Sequence, residues 1–297
     1  MTVAYPHKLR GQLSAQDILD QVVRQREIHM VTLNRYRFNE QRSCKDLTDL
    51  IEKLDGKPRD LIKDLSHHVA DEARHALWLT DLLYELGEDI GTPPGTSYID
   101  EFERFISNET ITSAEDGIIE SLAAINVTEK RGCEYFAAHI RALQKSNQTP
   151  ENIKIRETIE KIMPEEVEHV RWGNRKLAEI AKKSKSLHAK VDTAKRKYAA
   201  IEQAAYESGM DVLAGAEVRR IENLMKIADT LPLWQRPKYL ADRMPQTVFS
   251  SDLQKTRIDL VKRAWDKDPD PASFVEKFIP MFFNANLKDT ANKAGTY

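Results

Sequence analysis

Apolar positions along residues 14–183 recur at steps of three and four, the seam of a helix buried on one side. Four such stripes follow one another. Leu33, Tyr36, Cys44, Leu47, Ile51 and Leu54 form the first, and Leu61, Leu65, His68, Leu79 and Leu86 the second. Ile118, Leu122, Ile125, Phe136, Ile140 and Leu143 form the third, and Ile155, Ile159, Ile162, Leu177 and Ile180 the fourth. Breakers separate the members of each pair: Asp55-Gly56-Lys57-Pro58 and Ser146-Asn147-Gln148-Thr149-Pro150 both read as helix stop and restart. The pattern predicts helix over 14–55, in one or two pieces with Ser14 as N-cap, then from Pro58 to Leu86 with Gly87 as the stop. Two more helices follow, from Ser113 to Lys145 and from Pro150 to Lys183, with Pro164 expected to loosen a turn. Residues 87–113 make a long crossover holding a short amphipathic piece, Tyr98 to Ile106.

Beyond residue 183 the pattern is coarser. Ser184 to Leu231 predicts one or two long helices, with a lysine-rich start read as a solvated face. Pro232, Pro237 and Pro245 predict a loop-rich stretch, and Leu253–Trp265 a short helix. The apolar segment Phe274–Phe283 reads as a docking surface for the bundle or for a second copy of the chain, a homodimer. Leu287–Tyr297 reads as a loose tail. No segment of any length has the period of a sheet. The fold class is therefore all-α. A four-helix bundle with a long crossover between its second and third helices covers 14–183, and a helical C-terminal extension packed on it covers 184–297.

The stripes are interrupted by polar residues where leucine is expected, and the interruptions repeat. Asp71-Glu72-Ala73-Arg74-His75-Ala76-Leu77-Trp78 and Glu165-Glu166-Val167-Glu168-His169-Val170-Arg171-Trp172 share acid-Glu-x-x-His-x-x-Trp. Residues three apart share a helix face, so each copy aims a carboxylate and an imidazole at one point. Upstream of each stands Glu-polar-Arg-small-Cys, at Glu40–Cys44 and Glu129–Cys133. In an antiparallel hairpin, residues level with each other are equidistant from the turn. The midpoint of Glu40 and Glu72 is Gly56, and that of Glu129 and Glu166 falls at Asn147–Gln148. Pairing Glu27 with Glu72 would put the turn where no breaker exists. Glu40 is the partner, while Glu134 falls off its stripe.

Four buried carboxylates demand positive charge. Two divalent cations balance four glutamates and two neutral histidines. Asp71 and Glu165 are placed to take the second ring N–H of a histidine and orient it. His68, one turn before Glu72, reads as a hydrogen-bonded pocket histidine, or else an extra ligand or proton relay. Tyr36 reads as a core tyrosine, with hydrogen bonding to a carboxylate or a radical role as alternatives. Trp78 and Trp172 read as packing around the site, or as electron carriers. Arg42 and Arg131 are expected to pair with acids.

Charge excludes some partners. With 45 Lys+Arg against 47 Asp+Glu, there is no electrostatic case for nucleic acid or anionic membrane. Residues 1–13 lack a signal-peptide core, and no apolar run reaches membrane-spanning length. Two cysteines on inward stripes fit reduced core packing in a cytoplasmic protein.

A Glu from each of two helices plus Glu-x-x-His from each of two others resembles the ferritin-like non-haem di-iron carboxylate superfamily, over about residues 26–183. Thr128–Phe136 is similar to the third-helix motif of the bacterial tRNA-modifying di-iron hydroxylase. The two-helix repeat is similar to that of rubrerythrin and the demethoxyubiquinone hydroxylase. The resemblance implies two iron ions, manganese suiting the same ligands equally. Glu72 and Glu166 would bridge, Glu40 and Glu129 would be terminal, and His75 and His169 would each serve one metal. The implied activity is an O₂-dependent monooxygenase or oxidase acting on a small, largely apolar organic molecule. A ferroxidase, peroxidase or manganese-catalase-like protein is the alternative, and a vestigial or zinc-binding scaffold the third. With no nucleotide-binding glycine loop and no rubredoxin-like cysteine set, electrons would come from a separate donor protein.

Overall fold

A computed structural model describes residues 13–93, 98–106, 114–208, 212–248, 250–267 and 269–271. The predicted segments Phe274–Phe283 and Leu287–Tyr297 lie outside the described residues. Among those residues the chain is all-α, without strands, and no helix is long and apolar enough to cross a membrane.

The first predicted helix is two pieces, α1 (Ala15–Val22) and α2 (Arg26–Lys53). Ser14 caps α1 reciprocally: its hydroxyl accepts from the Asp17 N–H, and the Asp17 carboxylate accepts from the Ser14 N–H at 2.9 Å, the capping-box arrangement. After α2 the backbone turns through Asp55 (φ 46°) and Gly56 (φ 79°), left-handed conformations that glycine adopts at little cost. Pro58 then leads into α3 (Arg59–Glu85), which stops before Gly87 at φ 75°. The crossover carries α4 (Tyr98–Ile106) and delivers the chain to α5 (Ala114–Lys145). Thr149 caps α6 (Pro150–Ala181) by accepting from Asn152 N–H at 3.2 Å, with Pro150 at the first helical position, where a missing N–H is harmless. Pro164 sits inside α6 and α6 runs through it.

The helices pack as two hairpins, α2 with α3 and α5 with α6, and α3 also contacts α6. The predicted boundary at 183/184 falls between α6 and α7 (Lys185–Ser208). The core does not end there: Val191, Ala194, Tyr198, Ile201 and Ala205 of α7 bury in one cluster with Leu47 of α2, Leu65 of α3 and Leu122 of α5. On the other side α8 (Val212–Asp229) lies on α2. Arg220 ties it there, pairing with Glu27 at 2.6 Å and with Asp252 of α10 (Ser251–Lys267) at 2.8 Å. Glu27 thus serves the scaffold. The lysine-rich start of α7 is solvated, Lys182, Lys183, Lys185, Lys190 and Lys195 being exposed.

The expected loop-rich stretch is partly a helix, α9 (Arg236–Val248). Pro237 stands second in it, where no backbone donor is needed. Pro245 costs one hydrogen bond on an element in which none of residues 236–247 is buried, so water can satisfy what the ring removes. Residue type alone marks a proline as a breaker, because its place within a helix is not a property of the residue type.

Candidate metal centre

Glu40 projects from α2, His68, Glu72 and His75 from α3, Glu129 from α5, and Glu166 and His169 from α6. All seven are buried, His75 completely. The six residues predicted as ligands therefore meet, and Glu134 points out to a pair with Arg131. The donor atoms fall into two sets, each with every atom within 4.8 Å of the others: Glu40, Glu72, His75 and Glu166, and His68, Glu72, Glu129 and His169. Glu72 belongs to both. Glu166 falls in the first set only.

Both histidines turn Nδ1 inward. His75 Nδ1 lies 2.8 Å from Glu166 and 3.6 Å from Glu40, and His169 Nδ1 lies 3.2 Å from Glu72 and 3.6 Å from Glu129. Their Nε2 atoms point outward to the acids expected to orient them, with the copies exchanged. Glu165 accepts from His75 at 2.7 Å, and Asp71 accepts from His169 at 3.3 Å. Arg74 joins the two acids, donating to Asp71 at 2.5 Å and to Glu165 at 2.8 Å. Fixing the outer N–H this way aims the inner nitrogen at the carboxylates, where it would bind a cation once it gives up its own proton.

The electrostatics follow from burial and pairing. Burial alone would discharge the histidines. Pairing with Glu166 and Glu40 outweighs it and holds His75 up at about 11, and pairing with Glu129 and Glu72 holds His169 at about 11. His68 is raised to about 9, burial being outweighed by Glu129 and Glu72. Among the carboxylates, burial and repulsion from Glu72 push Glu40 well up and Glu166 to about 8. At Glu72 the pairings with His169 and His68 overcome burial and hold it below the usual range, and Glu129 is also lowered. Here protons provide the compensating positive charge, and a metal cation would displace them. The fit to a cation shows in the buried atoms: His75 Nδ1, His169 Nδ1 and Glu166 Oε1 form no hydrogen bond of good geometry, an expensive state for groups denied water. Carboxylate oxygens and neutral imidazoles are the donors of a first-row divalent cation.

A cavity of about 130 Å³ adjoins these residues. Glu40, Glu72, Glu129 and Glu166 line it with Tyr36, Tyr98, Ile99, Tyr135, Phe136 and Tyr206, and Thr32, Arg35, Asn39, Ser43, Thr128 and Arg131 add polar groups. Tyr36 does not bond to a carboxylate: its hydroxyl is buried without a partner, and its ring meets Phe136 edge-on at 4.9 Å. Trp78 and Trp172 pack at the flanks. Lys161 Nζ sits 3.6 Å over the Trp78 ring, and Trp172 donates to Asp64 at 3.1 Å with its ring 5.8 Å from that of His68. Arg42 pairs with Glu103 and Arg131 with Glu202 at 2.6 Å. Cys44 and Cys133 are free and half-buried, and burial next to carboxylates raises their thiols to about 11 and 12, the protonated state of packing residues.

Sequence periodicity did not reveal the exchange of orienting acids, the cavity's aromatic wall, or a buried pair between His29 and His139, whose Nε2 atoms are 2.8 Å apart. The one available signal for that pair was two histidines on adjacent inward stripes.

The model of a family described as "Protein of unknown function (DUF455)" matches residues 24–220, which include every residue of the centre, all of α7 and part of α8. No curated protein and no solved structure matches the chain. By the extent of that family match, the chain belongs to DUF455.

Proposed function

We propose that this protein is a ferritin-like, non-haem di-iron oxygenase or oxidase that uses O₂ to oxidise a small, largely apolar organic molecule. The observation carrying the reading is the cavity, which brings Tyr36, Tyr98, Tyr135, Phe136, Tyr206 and Ile99 together with the four carboxylates. A centre that handled only metal or peroxide has no use for an apolar chamber, whereas a bound organic substrate does. Glu40, Glu72, Glu129, Glu166, His75 and His169 would hold the two metals. Bound iron would supply O₂ activation.

The chain's own residues do the rest. Glu165 and Asp71 hold the outer protons of His75 and His169, keeping each imidazole in the tautomer that binds a cation. Tyr36, Tyr135 and Phe136 would grip an apolar substrate and exclude water. The unpartnered Tyr36 hydroxyl offers a hydrogen bond to a polar group of that substrate. Electrons would come from a separate donor protein.

The test is metal analysis of protein purified without chelator, then anaerobic Fe(II) loading and exposure to O₂ under a visible spectrophotometer. Two irons per chain and an oxygen-dependent spectral change absent from Glu72→Ala are the expected results. Manganese with rapid peroxide disproportionation would move the reading to the catalase-like alternative. A chain that takes up no metal, with Glu72→Ala and Glu166→Ala as stable as the parent, would overturn it.

A further inference from the structure

We infer that His68 is a seventh metal ligand, so that the two metals would occupy chemically unequal sites. The inference rests on the di-metal reading and refines it. His68 Nε2 lies 3.0 Å from Glu72 Oε1 and 3.3 Å from Glu129 Oε1. These are the two carboxylates that His169 Nδ1 faces, so both imidazoles aim a nitrogen at one place. Their ring centroids are 3.7 Å apart and their planes 35° from parallel. Trp172 backs the His68 ring edge-on and is itself held by Asp64, leaving the imidazole little room to turn away.

The repeat supplies an independent argument. The offset that carries Glu72 to Glu166, His75 to His169 and Trp78 to Trp172 carries His68 to Ile162. Ile162 is fully buried in the core. Packing at this level of the hairpin therefore asks for a branched apolar side chain, and the first hairpin places an imidazole there instead. A buried imidazole is costly unless something specific holds it.

With His68 included, one metal would see two imidazoles and two carboxylates, and the other one imidazole and three carboxylates, with Glu72 shared. Imidazole-rich sites favour the later first-row metals, and carboxylate-rich sites suit Mn²⁺ and Fe²⁺. The two equivalents should then bind in separate steps, the His68 side first for a metal such as Co²⁺.

The experiment is an anaerobic titration of the full chain with Co²⁺, followed by visible absorption. Two resolved steps are expected. His68→Gln should weaken the first by at least about 100-fold, the upper end of what losing a mere outer-sphere partner costs, while Glu40→Gln weakens only the second. A glutamine amide can replace a hydrogen bond to Glu72 and Glu129 but not an imidazole ligand. His68→Gln binding both equivalents like the parent therefore overturns the assignment and leaves the di-metal reading standing. Failure of the parent to bind Co²⁺ at all overturns both. If His68→Gln does not fold, pulsed EPR of the parent with one equivalent of Cu²⁺ counts coordinated imidazoles directly: two support the assignment, and one overturns it.

Discussion

The two hairpins, α2–α3 and α5–α6, carry the same carboxylate and histidine frame on different packing. Leu79 of α3 is fully buried, and its repeat counterpart in α6 is Gly173, where the helices close until an added Cβ would stand 2.7 Å from Asn126 Nδ2. Arg42 and Arg131 occupy one repeat position. Arg42 meets the partly exposed Glu103, whereas Arg131 grips the buried Glu202 with two nitrogens and lies 4.1 Å from the Tyr206 ring centre. Duplicating a helix pair thus conserves the groups that face the centre and leaves the outer contacts to adapt to whatever covers each hairpin. Here α7 covers α5 and α6, and α8 covers α2.

The comparison can be broken at three places. The largest effect is expected at Arg131. Arg131→Ala strands the Glu202 carboxylate in the core and should cost about 3–5 kcal/mol, whereas Arg42→Ala, at a solvent-screened pair, should cost under about 1 kcal/mol. Denaturant melts of the two variants read the contrast, and equal losses would remove it.

Next comes the buried His29–His139 pair, whose repeat counterparts are Ile118 and Leu50. Burial, with Arg26 nearby, lowers His29 from 6.5 to about 4, and burial beside His29 lowers His139 well below 6.5. A histidine depressed in the folded state adds nothing to the pH dependence of stability above 6.5, where it is neutral in both states. As pH falls from 6.5 towards 4 the unfolded chain takes up the proton first, so stability is lost. For His29 the loss is on the order of 3 kcal/mol. The histidines of the centre carry the opposite sign: raised to about 9 and 11, they favour the metal-free fold at neutral pH and lose that contribution as pH rises through those values. Urea melts of metal-free protein between pH 7 and 4.5 should show a shallower acid loss in the double variant His29→Leu, His139→Leu. An unchanged slope would assign the acid sensitivity elsewhere.

The smallest effect is at Gly173. Gly173→Ala must push Asn126 aside, weakening its 2.9 Å bond to the Val170 carbonyl, and should cost about 1–3 kcal/mol. Alanine at an open helical position would instead stabilise, so a raised melting temperature would show that the helices part without penalty.

Much of this was legible in the chain. Steps of three and four placed the long helices and turn midpoints chose Glu40 over Glu27, because a hairpin's register is fixed by where its turn falls. What faced inward was legible for the same reason. What faced what was not: the pairing of His75 with Glu165 and of His169 with Asp71 depends on how two hairpins meet, and no local spacing encodes that. Residues of α7 joined the core for a like reason, since an amphipathic stripe declares a buried face without naming its partner. Pro237 and Pro245 misled in the other direction. Their residue type argues for a break, but their positions at a helix start and on an exposed helix tolerate them.

The exchange of orienting acids has a consequence for assembly. A lone α2–α3 hairpin holds Glu40, Glu72 and His75 but leaves His75 without Glu165, and a lone α5–α6 hairpin leaves His169 without Asp71. Neither half is a smaller version of the whole. Two copies of one hairpin, related by a twofold axis, would satisfy each other by the same trade, each lending an acid to its neighbour's imidazole. A chain arranged this way retains the etiquette of a homodimer inside a single polypeptide, and cleaving it in the crossover would turn an intramolecular courtesy into a concentration-dependent one.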